Sequence, residues 1–201
     1  WQKLGASSEV LSNLVEPVWE PVTLIANQEY TFLRITYKGY AESGEQSLGR
    51  EVGYKQISTA KSGSIVVSNI SAVYRAICVM PTEGEGWLIS KEFTVLRPKT
   101  GVEVDTTYLW AVLRSAAVVA EWLSGATGVG RHRVDWNLLR NQRIPLLSFE
   151  EQKQIGDKYR KVQEWEVEIR KLHAQAEEEL SPLELEGETA KDRLERAKPP
   201  K

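Results

Sequence analysis

The sequence predicts an α+β chain: a β-rich domain with a few helices, followed by a long helix of coiled-coil type. Three observations carry that reading. The first hundred residues hold short apolar runs rich in β-branched and aromatic side chains. After them the apolar spacing changes to i, i+3, i+4, i+7, the period of a helix. From Ser148 on, apolar residues recur every three or four positions with charges between them, for about 30 residues. The predicted boundaries are a first domain over 1–147, a long helix over 148–181 and a charged tail over 182–201.

Each element has a local reason. "YTFLRITYKGY" (30–40) reads as a strand ending at Gly39, and "GYAESGEQSLGREVGY" (39–54), rich in Gly and Ser, as a long loop. "GSIVVSNI" (63–70) and "AVYRAICVM" (72–80) are two apolar strands, and "WLISKEFTVLRP" (87–98) alternates until Pro98. Asp105 is placed to cap a helix over 107–123, whose apolar face is Leu109, Trp110, Leu113, Ala116, Ala117, Ala120 and Leu123; Gly125 ends it. Ser148-Phe149-Glu150-Glu151 is a capping box that opens the long helix. Its seam is Ile155, Tyr159, Val162, Trp165, Ile169, Leu172, Ala176 and Leu180, and Ser181-Pro182 stops it. A further short helix is expected around 187–197.

Composition sets the class. With 41% hydrophobic residues and seven tryptophans among 201 residues, the chain can bury a core. A single cysteine, Cys78, excludes an internal disulfide and fits a reducing cytoplasm. No apolar run approaches the roughly 18 residues a membrane span needs, and no signal peptide opens the chain. A start at Trp1 instead of Met suggests a trimmed or excised fragment. The net charge of −2 by itself gives no support to nucleic-acid binding. Its distribution says more: within Ser124–Pro145, Arg131, Arg133, Arg140 and Arg143 face one acid, Asp135, a local basic patch.

Catalytic motifs are missing. His132 and His173 lie in different segments with no cysteine beside them, which argues against a zinc site and offers no nucleophile–base pair. "GATGVG" (125–130) follows a helix, lacks the G-x-G-x-x-G order and has no Lys-Ser/Thr, so it is not a nucleotide loop. Glu151-x-Lys153 sits in the capping turn without an upstream acidic partner. The expectation is a protein without its own reaction.

Four stretches in series carry a family likeness. "SGATGVGRHRVDWNLLRNQRIPLLSFEEQKQI" (124–155) resembles the end of a target recognition domain in the specificity subunits of type I restriction–modification systems: a Gly-rich, arginine-bearing loop, a short helix, then a proline-containing stretch and a Glu-Glu-Gln start to a long helix. The matching residues are Gly128, Gly130, Arg131, Arg133, Leu138, Leu139, Ile144, Pro145, Leu146, Glu150, Glu151, Gln152 and Ile155. "KSGSIVVSNISAVYRAICV", "LISKEFTVLRPK" and "VDTTYLWAVLRS" are similar to the family's strand, strand and helix upstream, in the same order. The chain departs from the pattern at Ser64, where Asp is frequent, at Tyr74-Arg75, where glycine is common, and at Leu147-Ser148, which replaces Pro-Pro. Complete subunits carry two recognition domains and two long helices. No internal repeat is found here, so the chain resembles one half.

The resemblance implies a prokaryotic, cytoplasmic subunit that reads a bipartite site on double-stranded DNA. It would deliver that site to an adenine methyltransferase subunit, which brings S-adenosylmethionine, and to a restriction subunit. No cofactor is expected in this chain. Arg131 and Arg133 are candidates for gripping phosphates, with His132 between them. Arg133 could instead pair with Asp135 and close the loop. Arg34, Lys38, Tyr40, Arg75 and Lys91 are further DNA candidates, and Asn69 has the amide that suits adenine. Arg140 and Arg143 read equally well as solvated flank. On the long helix, Ile155, Tyr159, Val162, Ile169, Leu172 and Ala176 would meet a partner helix, most simply in an antiparallel homodimer. Two other readings stand beside this one: a coiled-coil adaptor whose β-rich domain binds protein, and the recognition tail of a fused methyltransferase–specificity polypeptide.

Overall fold

A computed structural model of the chain describes residues 7–54, 56–125 and 133–180. Its strands are β1 (Ser7–Val10), β2 (Val15–Val18), β3 (Glu20–Pro21), β4 (Glu29–Ile35), β5 (Ala41–Leu48), β6 (Ile57–Thr59), β7 (Ile65–Ser68), β8 (Ile77–Val79), β9 (Ile89–Ser90), β10 (Phe93–Pro98) and β11 (Arg143–Leu146). Its helices are α1 (Leu11–Leu14), α2 (Thr106–Leu113), α3 (Ala116–Gly125), α4 (Trp136–Leu139) and α5 (Phe149–Leu180). The architecture is α+β, with a long last helix. None of the described helices is long and apolar enough to cross a membrane.

A four-stranded antiparallel sheet, β2-β10-β7-β8, organises the core. Both of its faces are covered, which is why β7 reads Ile-Val-Val without polar alternation. Ile65, Val67, Ile77 and Leu96 point to one side, where Leu109 and Leu113 of α2 and Trp122 of α3 pack on them. Val66, Cys78 and Val95 point to the other, against Leu33, Met80 and Ile89. Burying each such aliphatic side chain contributes about 1.5–3 kcal/mol. Three shorter sheets surround this one: β1-β11, β3-β6-β9 and β4-β5. The β1-β11 pair joins Ser7 to Leu146 and Val10 to Arg143, bringing two segments remote in sequence side by side.

Three stretches differ from the sequence reading. The stretch 39–54 is not a long loop: Ala41–Leu48 forms β5, paired along the whole of β4 with a bulge between Thr31 and Leu33. Between Ala41 and Leu48 the strand has no apolar side chain, and the Gly- and Ser-rich composition hid it. The helix expected over 107–123 is two helices. Arg114 ends α2, and Ser115 restarts the chain as α3, its Oγ accepting from the Val118 N–H at 3.4 Å. Asp105 does cap α2, its Oδ1 accepting from the Tyr108 N–H at 2.8 Å. The run 72–80 is also only half strand, a 3-10 turn over Ala72–Tyr74 preceding β8.

The chain divides into two compact units, 1–160 and 161–201, with α5 running from one into the other. The capping box forms as read: Ser148 N–H donates to Glu151 at 3.0 Å, and Glu151 N–H donates to Ser148 Oγ at 3.4 Å. This bonding holds the Glu151 carboxyl below its ordinary pKa. Gln152 is buried, donating to the Leu147 carbonyl at 2.9 Å and accepting from the Asp105 N–H at 3.1 Å. Arg160 pairs with Asp105 at 3.0 Å and with Asp157 at 2.7 Å. Ile155 packs on the core, and the Tyr159 ring meets Trp110 edge-on at 5.6 Å. These two residues, expected to face a partner helix, have contacts within their own unit. The proposed tail helix lies outside the described residues.

Candidate nucleic-acid interface

The expected contact residues fall into two groups, one beside the core sheet and one at the β4-β5 hairpin. The first gathers where β7 ends. Asn69 is 3% exposed, and every polar group it has is engaged. Its Nδ2 donates to the Lys91 carbonyl at 3.2 Å, and its Oδ1 accepts from Thr94 Oγ1 at 2.8 Å. Its N–H donates to the Glu92 carbonyl, and its carbonyl accepts from the Val134 N–H, both at 2.8 Å. Asn69 therefore ties three segments together and does not offer its amide to a base, which corrects its expected role as an adenine reader. What it positions is useful: Lys91 and Glu92 in the turn between β9 and β10, and Arg133 beside them.

Arg133 is exposed and pairs with Glu92 at 2.7 Å. The pairing with Asp135 does not form. Asp135 instead caps α4, accepting from the Asn137 N–H at 2.9 Å. Lys91 also borders an open cleft of about 470 Å³ with Trp19, Pro21, Val22, Gln56 and Ile57. Arg131 and His132 lie outside the described residues.

The second group surrounds the turn between β4 and β5. Arg34 and Glu42 face each other across the hairpin and form an ion pair at 2.5 Å. Beyond them the chain turns tightly over Thr36–Tyr40. Gly39 N–H donates to the Thr36 carbonyl at 2.9 Å, and Tyr40 N–H donates to Thr36 Oγ1 at 3.1 Å. Gly39 has φ +86°, a conformation that favours glycine. Lys38 is exposed and Tyr40 half-buried, one on each side of it.

Arg75 lies on a separate loop and also has positive φ, +67°. This is the place where the family pattern commonly has glycine, and the backbone keeps a glycine-like shape with an arginine in it. The two loops share a support that sequence reasoning missed, Arg114. Its Nε donates to the Arg75 carbonyl and its Nη2 to the Tyr37 carbonyl, both at 3.1 Å. Its guanidinium lies over the Trp110 ring, 4.6 Å from the centroid. Burial pushes its pKa below the ordinary arginine value. Nothing local in "AVLRS" separates this residue from a solvated helix-end arginine, because its acceptors come from remote loops.

The arrangement is a set of exposed cations, among which Arg34 and Arg133 each form an ion pair with a carboxylate. Among the described residues no group of His, Cys, Asp and Glu could hold a metal ion. On the helix, Val162, Ile169, Leu172 and Ala176 are exposed within the second unit.

The chain matches no protein-family profile and no curated protein. Solved structures do match. The HsdS subunit from Thermoanaerobacter tengcongensis superimposes with a TM-score of 0.66 at 22% identity, over 90% of this chain and 47% of that one. A chain from a structure of the type I restriction–modification system, solved to explain complex assembly and conformational transition, gives 0.64 at 21% identity, over 88% and 47%. The type I restriction–modification S subunit from M. genitalium gives 0.53 at 11%, over 84% and 42%. The chain spans less than half the length of each. It therefore has the fold of type I specificity subunits, across a little under half of such a subunit.

Proposed function

We propose that this chain is a DNA sequence-reading unit of the type I specificity class, non-catalytic in itself. It directs an adenine methyltransferase subunit, and a restriction subunit where present, to a bipartite site on duplex DNA. The observation that carries this reading is the shared fold, which runs through the β-rich domain and into the long helix over 90% of the chain. The exposed cations Arg34, Lys38, Arg75, Lys91 and Arg133 supply charge for phosphates. S-adenosylmethionine belongs to the methyltransferase partner, and the setting is the prokaryotic cytoplasm. A second copy of the chain, joined through α5, supplies the other half of a split site.

The test is duplex binding by the full chain, followed by selection from a pool of duplexes with a randomised core. The expected result is salt-dependent binding and enrichment of one half-site sequence, or of its inverted repeat. A methylome of a host carrying the gene should show adenine methylation at that site. Failure to bind any duplex, or binding with no enrichment, overturns the proposal.

A further inference from the structure

The turn over Thr36–Tyr40 and the loop over 69–76 each raise a tyrosine into solvent. Tyr37 is 66% and Tyr74 63% exposed, and their rings meet edge-on with centroids 5.9 Å apart. Two large aromatic rings held together on the surface, on loops remote in sequence, need an explanation. The structure concedes local stability to keep them there. The Arg114 guanidinium is half-buried, with its two hydrogen bonds to the main chain at Tyr37 and at Arg75, next to Tyr74. Arg75 holds a left-handed conformation that side chains rarely adopt. Gly39, at φ +86°, has the conformation that favours glycine, and a Cβ there would displace that same guanidinium. Backbone strain of the kind Arg75 holds clusters at ligand-contacting sites.

The chemistry of the ridge is specific. Lys38 and Arg75 follow the two tyrosines directly and are exposed, and neither Thr36–Tyr40 nor Asn69–Ala76 contains an acidic residue. Cations flanking rigid aromatic rings suit a polyanion that also presents apolar edges. Duplex DNA does so: the phosphates lie outside, and sugars, base edges and thymine methyls line the grooves.

We propose that Tyr37 and Tyr74 form a groove-contacting ridge for duplex DNA, and that Arg114 is the positioning residue that sets both loops. The inference rests on the proposed DNA-reading function and names where part of that reading occurs. The tyrosines act through ring packing and their hydroxyls, and Lys38 and Arg75 take the adjacent phosphates. Uncharged rings release no counterions, so their contribution is visible as sequence discrimination and not as salt dependence.

The experiment uses the full chain, with the duplex enriched from the randomised pool and the unselected pool as probes. Tyr37→Ala/Tyr74→Ala should lower affinity for the enriched duplex by about tenfold. It should leave the slope of log K against log salt unchanged, with pool affinity nearly constant. Arg114→Lys keeps the charge but loses the planar fork. It should reduce the enriched-to-pool ratio in the same direction, measured well below its unfolding temperature. In the wild-type protein, hydroxyl-radical footprinting should show Tyr37 and Tyr74 protected by the enriched duplex. An unchanged ratio in the double variant, an equal loss on both probes with a shallower salt slope, or unprotected tyrosines each overturn the ridge. In those cases the wild type still binds and selects, so the DNA-reading proposal stands. A wild type that selects no duplex overturns both.

Discussion

Arg133 and Glu92 meet at 2.7 Å on the surface, with both side chains nearly half exposed. A pair so open to water is worth about 0.2–1 kcal/mol, so a phosphate can displace the carboxylate at little cost. The two partners should then act with opposite sign on DNA affinity. Arg133→Ala should weaken binding to all duplexes alike and lower the salt slope by about 0.9 log unit, the value for one phosphate contact. Glu92→Gln removes the competing charge and should strengthen binding, by roughly twofold to fivefold for a pair of that worth. If Glu92→Gln weakens binding, the pair is holding the loop and Arg133 is not a phosphate ligand. Cys78 makes a separate prediction. Burial pushes its thiol from 9.0 up to about 12. The folded chain therefore keeps this proton where the unfolded chain releases it. The stability it contributes is complete below pH 9 and lost as the pH rises towards 12. Relative to Cys78→Ala, the wild type should lose stability more steeply above pH 9. Alkylation at pH 8 should wait for unfolding.

At the scale of elements, the start of α5 is fixed by one crowded contact. A Cβ on Gly156 would run into the Asp105 carboxylate, which caps α2 and pairs with Arg160. Gly156→Ala gains about 1 kcal/mol of helix propensity, while overpacking costs about 1–3 kcal/mol. Because the neighbour is a carboxylate already committed to two partners, the cost should win. Thermal unfolding should show the first unit destabilised by about 1 kcal/mol, and an unchanged or raised midpoint would show that the helix can shift without strain. The contacts around Asp105 also show what was legible in sequence. The Asp105 cap and the Ser148–Glu151 box are local patterns, and both formed as read. The apolar runs became strands because burial on both sheet faces leaves no other use for them. The misses depend on non-local partners. β5 is specified by its pairing with β4, and the break at Ser115 by a turn that lets α3 pack on the core. Asn69 looked like an exposed amide, and only the arrival of Thr94 and Lys91 shows it to be a buried tie. Arg114 was invisible for the same reason.

At the scale of the whole molecule, the helix raises the question of its missing cover. Val162, Trp165, Ile169 and Leu172 are spaced by three and four residues in the second unit, and each is about half exposed. Such a spacing is the one a coiled-coil seam uses. The solved subunits that share this fold are about twice as long as this chain. A second copy, related by a two-fold axis, would bury a matching seam in the simplest way. An antiparallel pair of α5 helices would place one reading domain at each end and make the pair recognise a palindrome split by a spacer. Ile169→Asp should then shift the protein from dimer to monomer in sedimentation and abolish selection of the split site, while half-site binding survives. The helix would also act as a ruler. A heptad inserted after Trp165 lengthens each helix by about 10 Å at 1.5 Å per residue. Both helices lie side by side, so the domains separate by that same distance, about three base pairs at 3.4 Å each. The selected spacer should lengthen to match. A wild-type monomer at micromolar concentration would remove the homodimer, and a dimer that keeps its old spacer after the insertion would remove the ruler alone.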